Sequence, residues 1–296
     1  METREFVEKF EQPGSEYRGK PFWSWNGELK KEELLRQIHV MKEMGFGGFF
    51  MHSRAGLITE YLGEDWFRMI AAATDEGEKL GMEAWLYDED RWPSGSAGGM
   101  VTRDPQYRMK SVRLTEMPYE LYLERKDGIF ADDETRIVFV AVISGLDLHA
   151  YKKIDSDTDV EKWYGECGTA AEDSRRVVLV FSIVPDACSS EYNGTTYIDT
   201  MSRAATERFI ELTHEQYYAR FGDKFGKSIK GIFTDEPHRG HGLDDTWKHD
   251  DGTVTCSLAW TNDIFDEFKA RYGYDAERRL PEIFYRMDGV NPTDGS

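Results

Sequence analysis

The chain has 296 residues, room for one large domain or two ordinary ones at about 100–200 residues each. Its 40% apolar content supplies a core and argues against disorder, and no run approaches the about 20 apolar residues of a membrane span. With 37 basic against 56 acidic side chains, net −19, and no basic stripe, nucleic acid is a poor partner. No membrane partner is expected either. The charged start Met1-Glu-Thr-Arg-Glu-Phe6 lacks the apolar segment of a signal peptide. Cys167, Cys188 and Cys256 are widely spaced and odd in number, which fits a reducing cytoplasm better than a disulfide framework.

The first part alternates strands with amphipathic helices. Pro21-Phe-Trp-Ser-Trp25 reads as a short aromatic strand closed by the turn signal Asn26-Gly27. Leu34, Leu35, Ile38, Met41 and Met44 follow helical spacing up to Gly45. Gly47 to Met51 is a second strand, running into His52 and Arg54. Asp65 can cap a helix carrying Trp66, Met69, Ile70, Ala73, Gly77 and Leu80. Glu83 to Tyr87 is a third strand, running into Asp88-Glu-Asp-Arg-Trp-Pro93. Strands joined by single helices predict a parallel sheet of right-handed units over 1–102.

The rhythm breaks over 103–197, which reads as an inserted β-rich subdomain. Arg136–Ile143 and Arg176–Val184 are its strongest strands, rich in β-branched residues. Over 198–296 the first pattern is expected to resume. A helix spans Asp199–Phe221, Lys230–Thr234 is a fourth strand, and a last helix carries Trp260, Ile264, Phe265, Phe268 and Tyr272.

In parallel α/β folds, chemistry gathers where the carboxyl ends of the strands meet the loops. The four ends carry Trp23, Trp25 and Asn26; His52 and Arg54; Asp88, Glu89, Asp90, Arg91 and Trp92; and Asp235, Glu236 and His238. Aromatic faces suit sugar C–H groups, and charged groups suit sugar hydroxyls. Glycoside hydrolysis uses a pair of carboxyl groups.

Glu236 is the sharpest candidate for general acid. Period 2 puts it on one face with Ile232 and Thr234, and Pro237 favours extended geometry before it. A carboxyl partly desolvated at a strand end suits that role. The plainer alternative is a cap, or an ion pair with Arg239. Asp88, Glu89 and Asp90 are candidates for a partner carboxylate, substrate contact or Ca²⁺. Ion pairing to Arg91 or Arg54 is the plainer role. Trp23, Trp25 and Trp92 are candidate sugar platforms, and Asn26, His52, Arg54, Asp90, Arg91, Asp235 and His238 candidate substrate contacts.

Pro93–Gly99 lacks a phosphate-binding pattern and reads as a flexible loop beside the site. His238, His241 and His249 with Asp244 and Asp245 match no zinc motif, so no metal site is assigned there. A solvated loop is the simpler reading. His39 and His214 fall within helices and read as structural.

Together, Pro21–Gly27, Met41–Gly45, Gly47–Phe50, Tyr87–Gly95, Tyr197–Thr200 and Gly231–Pro237 resemble the catalytic region of glycoside hydrolase family 106, the α-L-rhamnosidases. The resemblance runs in order along nearly the whole chain. It implies a (β/α)₈ TIM-type barrel with a β insertion after its third strand, glycosidase activity, a Ca²⁺ requirement and inversion of configuration. Asp235-Glu-Pro237 also resembles the Asn-Glu-Pro acid/base position of the largest barrel glycosidase clan, with Asp235 in place of the Asn. Only four barrel strands are legible, so the expectation is the first half of a barrel. The rest would come from further chain, a partner or a second copy. Two rivals remain open: a non-catalytic carbohydrate-binding or decayed barrel, and a metal-dependent hydrolase using the His238–His249 loop.

Overall fold

A computed structural model describes residues 3–129, 136–168, 173–240 and 246–287. Helix α1 (Thr3–Glu11) precedes strand β1 (Phe22–Trp25), helix α2 (Lys31–Glu43), β2 (Gly48–Ser53), α3 (Glu64–Lys79) and β3 (Glu83–Tyr87). Strand β4 (Lys110–Pro118), α4 (Tyr119–Arg125), β5 (Arg136–Ser144), β6 (Asp147–Ile154), α5 (Asp157–Glu166) and β7 (Arg175–Pro185) follow. The chain continues through α6 (Arg203–Leu212), α7 (His214–Phe221), β8 (Ile229–Phe233), β9 (Trp247–Lys248), β10 (Val254–Trp260), α8 (Ile264–Tyr272), α9 (Pro281–Phe284) and β11 (Arg286–Met287). Among the described residues, the strands form a four-stranded sheet, β1-β2-β3-β8, and a seven-stranded sheet, β11-β6-β5-β7-β4-β10-β9. The protein is therefore mixed α/β.

Two compact units divide the chain. One holds the residues up to Arg108 together with Ala187–His238, and the other holds Met109–Asp186 and the residues from Arg239. The resumption expected over 198–296 thus stops at His238. Strand β10 pairs antiparallel with β4 from Val254↔Glu116 to Trp260↔Lys110, which ties the later residues to the β-rich unit. Trp260 ends that strand rather than opening a helix. The expected single helix over Asp199–Phe221 is two helices that meet at Thr213.

The first unit's sheet is parallel throughout, with Trp23↔Met51, Phe49↔Ala84 and Leu86↔Ile232 in register. One face supplies Trp23, Trp25, Phe49, Met51, Ala84, Leu86 and Ile229 to a core with Leu34, Ile38 and Met41 of α2 and Trp66, Phe67 and Ile70 of α3. Acids in the first turns of α2 and α3 and a lysine in each last turn suit the helix dipole. Gly63 caps α3, and Asp65 lies within its first turn.

The expectation that Trp23 and Trp25 form a sugar platform is corrected here. They are 8% and 1% exposed, and their neighbours Phe22 and Ser24 take the open face. Strand alternation allows either assignment, and packing against the helices selects this one. Replacing Trp25 with alanine is expected to cost about 3–5 kcal/mol in urea unfolding. A platform residue would instead weaken sugar binding at unchanged stability.

The opposite face is aromatic. Phe22 lies 5.1 Å from Phe50 and 5.0 Å from Phe233, and Phe50 lies 5.3 Å from Trp85. Gly231 admits the Trp85 ring, since a Cβ there would fall 2.8 Å from its Cζ3.

In the second unit, β5 and β7 are buried on both faces. Phe139, Ala141, Leu179 and Phe181 face a core with Leu280 and Tyr285, while Val138, Val140, Val178 and Val180 face one with Tyr122 of α4 and Val160 of α5. Two-sided burial explains their continuous apolar runs.

Candidate functional site

The ends of β3 and β8 lie side by side, Tyr87 opposite Phe233. Beyond them the chain folds into a dense polar layer. The Glu89 carboxylate is 3% exposed and fills a ring of backbone amides. Its Oε2 accepts from the N–H groups of Gly95 (3.0 Å), Ser96 (2.7 Å) and Ala97 (2.8 Å). Its Oε1 accepts from Asp90 N–H (2.9 Å) and Gly98 N–H. Positive φ at Ala97 (50°) and Gly98 (63°) curls the loop so that its amides converge, as in an anion-binding nest. The expected flexible loop is thus held by an internal anion. Burial pushes the Glu89 carboxyl up to about 7, while the backbone donors pull it down.

Its neighbours are equally engaged. Asp88, 0% exposed, accepts from Ser94 Oγ and Thr234 Oγ1, both at 2.6 Å, and lies 3.3 Å from His214 Nε2. Asp90 accepts from Ser53 Oγ (2.6 Å) and Asn193 Nδ2 (2.9 Å), with Arg91 Nε 3.7 Å away. Arg91 donates to the Ser190 carbonyl (2.8 Å) and to Asn193 Oδ1 (3.0 Å). The catalytic roles expected for Asp88 and Glu89, and substrate contact for Asp90 and Arg91, give way to holding the strand-end loops. Every carboxylate oxygen of these three acids already has a donor from the protein.

The Ca²⁺ implied by the family resemblance does not fit these residues. Calcium takes 6–8 oxygen ligands, and the oxygens here are spent on hydroxyl, amide and side-chain N–H donors. Among the described residues, no group of three or more His, Cys, Asp or Glu could hold a metal ion. His241, Asp244 and Asp245 lie outside the described residues. His249 Nε2 meets Thr255 Oγ1 at 2.9 Å in the second unit, and the His238 ring stacks on Tyr197 at 4.5 Å in the first.

Above this layer, solvent-facing groups remain. Trp92 is 51% exposed, and its indole N–H donates to Glu236 Oε2 at 3.1 Å. Glu236 is exposed rather than partly desolvated, and its φ of 43° is left-handed rather than extended. A non-glycine residue held there before a proline is strained, and such strain gathers at functional sites. Asp235 is half-buried. Its backbone N–H donates to Ser94 Oγ and its carbonyl accepts from Ser94 N–H, both at 2.9 Å, while the Tyr87 hydroxyl donates to its Oδ2 at 3.2 Å. Burial, then the Asp235 charge, keeps the Tyr87 phenol protonated as a donor. Asn26, Arg54 and His238 are exposed, and Arg54 has no ion-pair partner among the described residues.

His52 is 3% exposed and stacks on Tyr87 at 3.7 Å, and its Nδ1 has no partner among the described residues. Burial, then the Arg54 charge, pushes its pKa down to about 4, so it is neutral at pH 7. The unfolded chain therefore binds more protons between about pH 4 and 6.5, and stability rises with pH across that window. His52 should contribute up to about 3 kcal/mol at pH 7 that is lost on acidification to pH 4. Glu89 titrates in the opposite sense over an overlapping range. The His52 share is thus the difference in pH slope between wild type and His52→Gln in urea unfolding. Equal slopes would refute it.

Sequence reading missed Ser94, Thr234, Ser53, Asn193, Tyr87 and Tyr197 as partners of this layer, and it placed His214 in a helix without a contact to Asp88. Tyr197 donates to the Ser94 carbonyl at 2.6 Å, and Tyr217 donates to the Tyr87 carbonyl at 3.3 Å. Most of these pairs join residues far apart in the chain, so local pattern carries no signal for them.

No protein-family model and no curated protein matches the sequence. Among solved structures, a rhamnosidase from Novosphingobium sp. PP1Y shares the fold at TM-score 0.52 and 14% identity. The match covers 93% of this chain and 42% of that one, so this chain spans less than half of its structural neighbour. A rhamnosidase-related α/β fold is the class that follows. Among the described residues, no helix is long and apolar enough to cross a membrane.

Proposed function

We propose that the first unit is part of a glycoside hydrolase barrel of the rhamnosidase type, related to family 106, and that Glu236 is its general acid. One observation carries the reading: a carboxylate in a strained left-handed conformation is exposed to solvent and held 3.1 Å from the indole nitrogen of a half-exposed tryptophan. Trp92 would stack on the C–H face of the sugar. Glu236 would give its proton to the glycosidic oxygen as the bond to the anomeric carbon breaks, and water would then add to that carbon. Asp235, Asn26, Arg54 and His238 would meet sugar hydroxyls, and Tyr87 would fix Asp235. The fold shared with a rhamnosidase supports the class, and a deoxy-hexoside substrate belongs to this proposal. The test is release of sugar from a panel of aryl glycosides, α-L-rhamnosides included, and its loss in Glu236→Gln.

Burial of Asp88, Glu89 and Asp90 removes the expected partner carboxylates and favours a second reading, non-catalytic sugar binding. That reading predicts calorimetric binding without sugar release.

A further inference from the structure

The second unit carries a polar cleft that the reading above does not use. Strand β9 pairs Trp247 opposite Thr255 of β10, and β10 in turn sets Ser257 opposite Arg113 of β4. Residues directly opposite in antiparallel strands share a face, as do residues two apart along a strand. Trp247, Thr255, Ser257 and Arg113 therefore share one face of three adjacent strands. Val112, Leu114 and Trp260 point to the other face, into the core. These side chains, with Asp186 and His249, line a cleft of about 480 Å³.

The Trp247 indole is 67% exposed at the edge of the sheet. A large aromatic ring left in water at a sheet edge gains most by stacking on an apolar surface. Its surroundings are not apolar. Arg113 is exposed, with no ion-pair or hydrogen-bond partner among the described residues. His249 and Thr255 meet at 2.9 Å and fix the hydroxyl beside the indole. An aromatic platform flanked by a guanidinium, a carboxylate and hydroxyls matches a pyranose ring, which has one C–H face and a rim of hydroxyls that both donate and accept. It suits neither an anion, which Asp186 would repel, nor a purely apolar ligand.

We infer that this cleft is a carbohydrate-binding site separate from the Glu236 site, in which Trp247 stacks on a neutral sugar ring and Arg113 bonds its hydroxyls. Such a site would anchor a glycan without reacting with it. The inference does not rest on catalysis by Glu236.

The test is titration calorimetry of the full chain with short neutral rhamno-, xylo- and galacto-oligosaccharides, comparing wild type, Trp247→Ala, Arg113→Ala and Trp92→Ala. At least one oligosaccharide should bind wild type, with affinity falling about tenfold or more in Trp247→Ala and in Arg113→Ala and persisting in Trp92→Ala. Both substituted cleft residues are exposed, so the fold should survive, as unchanged circular dichroism would show. Hydrolysis of a small aryl glycoside, where it occurs, should be unaffected by either variant. The inference is overturned if no oligosaccharide of the panel binds. It is equally overturned if binding is unchanged in Trp247→Ala, or lost only in Trp92→Ala. Loss of hydrolysis in Glu236→Gln with cleft binding intact would separate the two sites.

Discussion

Glu89→Ala is expected to lose about 3–5 kcal/mol of stability, a large share of the 5–15 kcal/mol typical of a folded protein. The side chain lies buried against the backbone N–H groups of Asp90, Gly95, Ser96, Ala97 and Gly98. Hydrogen bonds to a charged group are worth about 1.5–3 kcal/mol each, and a buried donor left without an acceptor costs about 1–3 kcal/mol. These terms do not simply add, because water can enter the gap and the loop can relax. Glu89→Gln is the sharper variant, since it keeps the volume. Whichever way the amide turns, its NH₂ faces N–H donors at Oε1 or at Oε2. It should therefore lose most of the same stability. Urea unfolding at pH 7 measures both variants, and a loss under about 1 kcal/mol in Glu89→Gln would sink the nest as a structural anchor. A catalytic Glu89 predicts the reverse pattern, with turnover lost and stability kept.

Glu236→Gln is expected to lower kcat by about 100- to 10,000-fold, the usual contribution of a positioned proton donor. Stability should change by no more than about 0.5 kcal/mol, because the side chain is exposed and the glutamine oxygen can still accept from Trp92. The loss should depend on the leaving group. A nitrophenolate departs without a proton, whereas an alkoxide needs one, so aryl substrates should suffer less than alkyl glycosides. Trp92→Ala should raise KM more than it lowers kcat. Turnover of alkyl glycosides unchanged by Glu236→Gln would overturn the assignment.

The elements of the first unit were legible because each is locally consistent. Helices α2 and α3 carry apolar stripes at helical spacing, Gly45 ends one, and β3 runs over Glu83–Tyr87 as read. The strand ends were legible too, because acids, arginines and aromatics cluster after apolar runs. The facing of β1 was not. Its alternation permits Trp23 and Trp25 on either face, and only the helices packed on the sheet select one. The membership of β10 was equally hidden, since Val254–Trp260 finds β4 across a long stretch of chain.

For the site the division is starker. The sequence by itself determined that Asp88, Glu89, Asp90, Trp92 and Glu236 stand at strand ends. That follows from local periodicity, which short-range sterics enforce. The tertiary structure alone decided which carboxylates are spent and which is free. Asp88 is taken by Thr234 and His214, Asp90 by Ser53 and Asn193, and Glu89 by the amides of its own loop, while Glu236 stays in solvent beside Trp92. A carboxylate's role is set by the donors around it and the water it keeps, and both come from chain segments that meet only on folding.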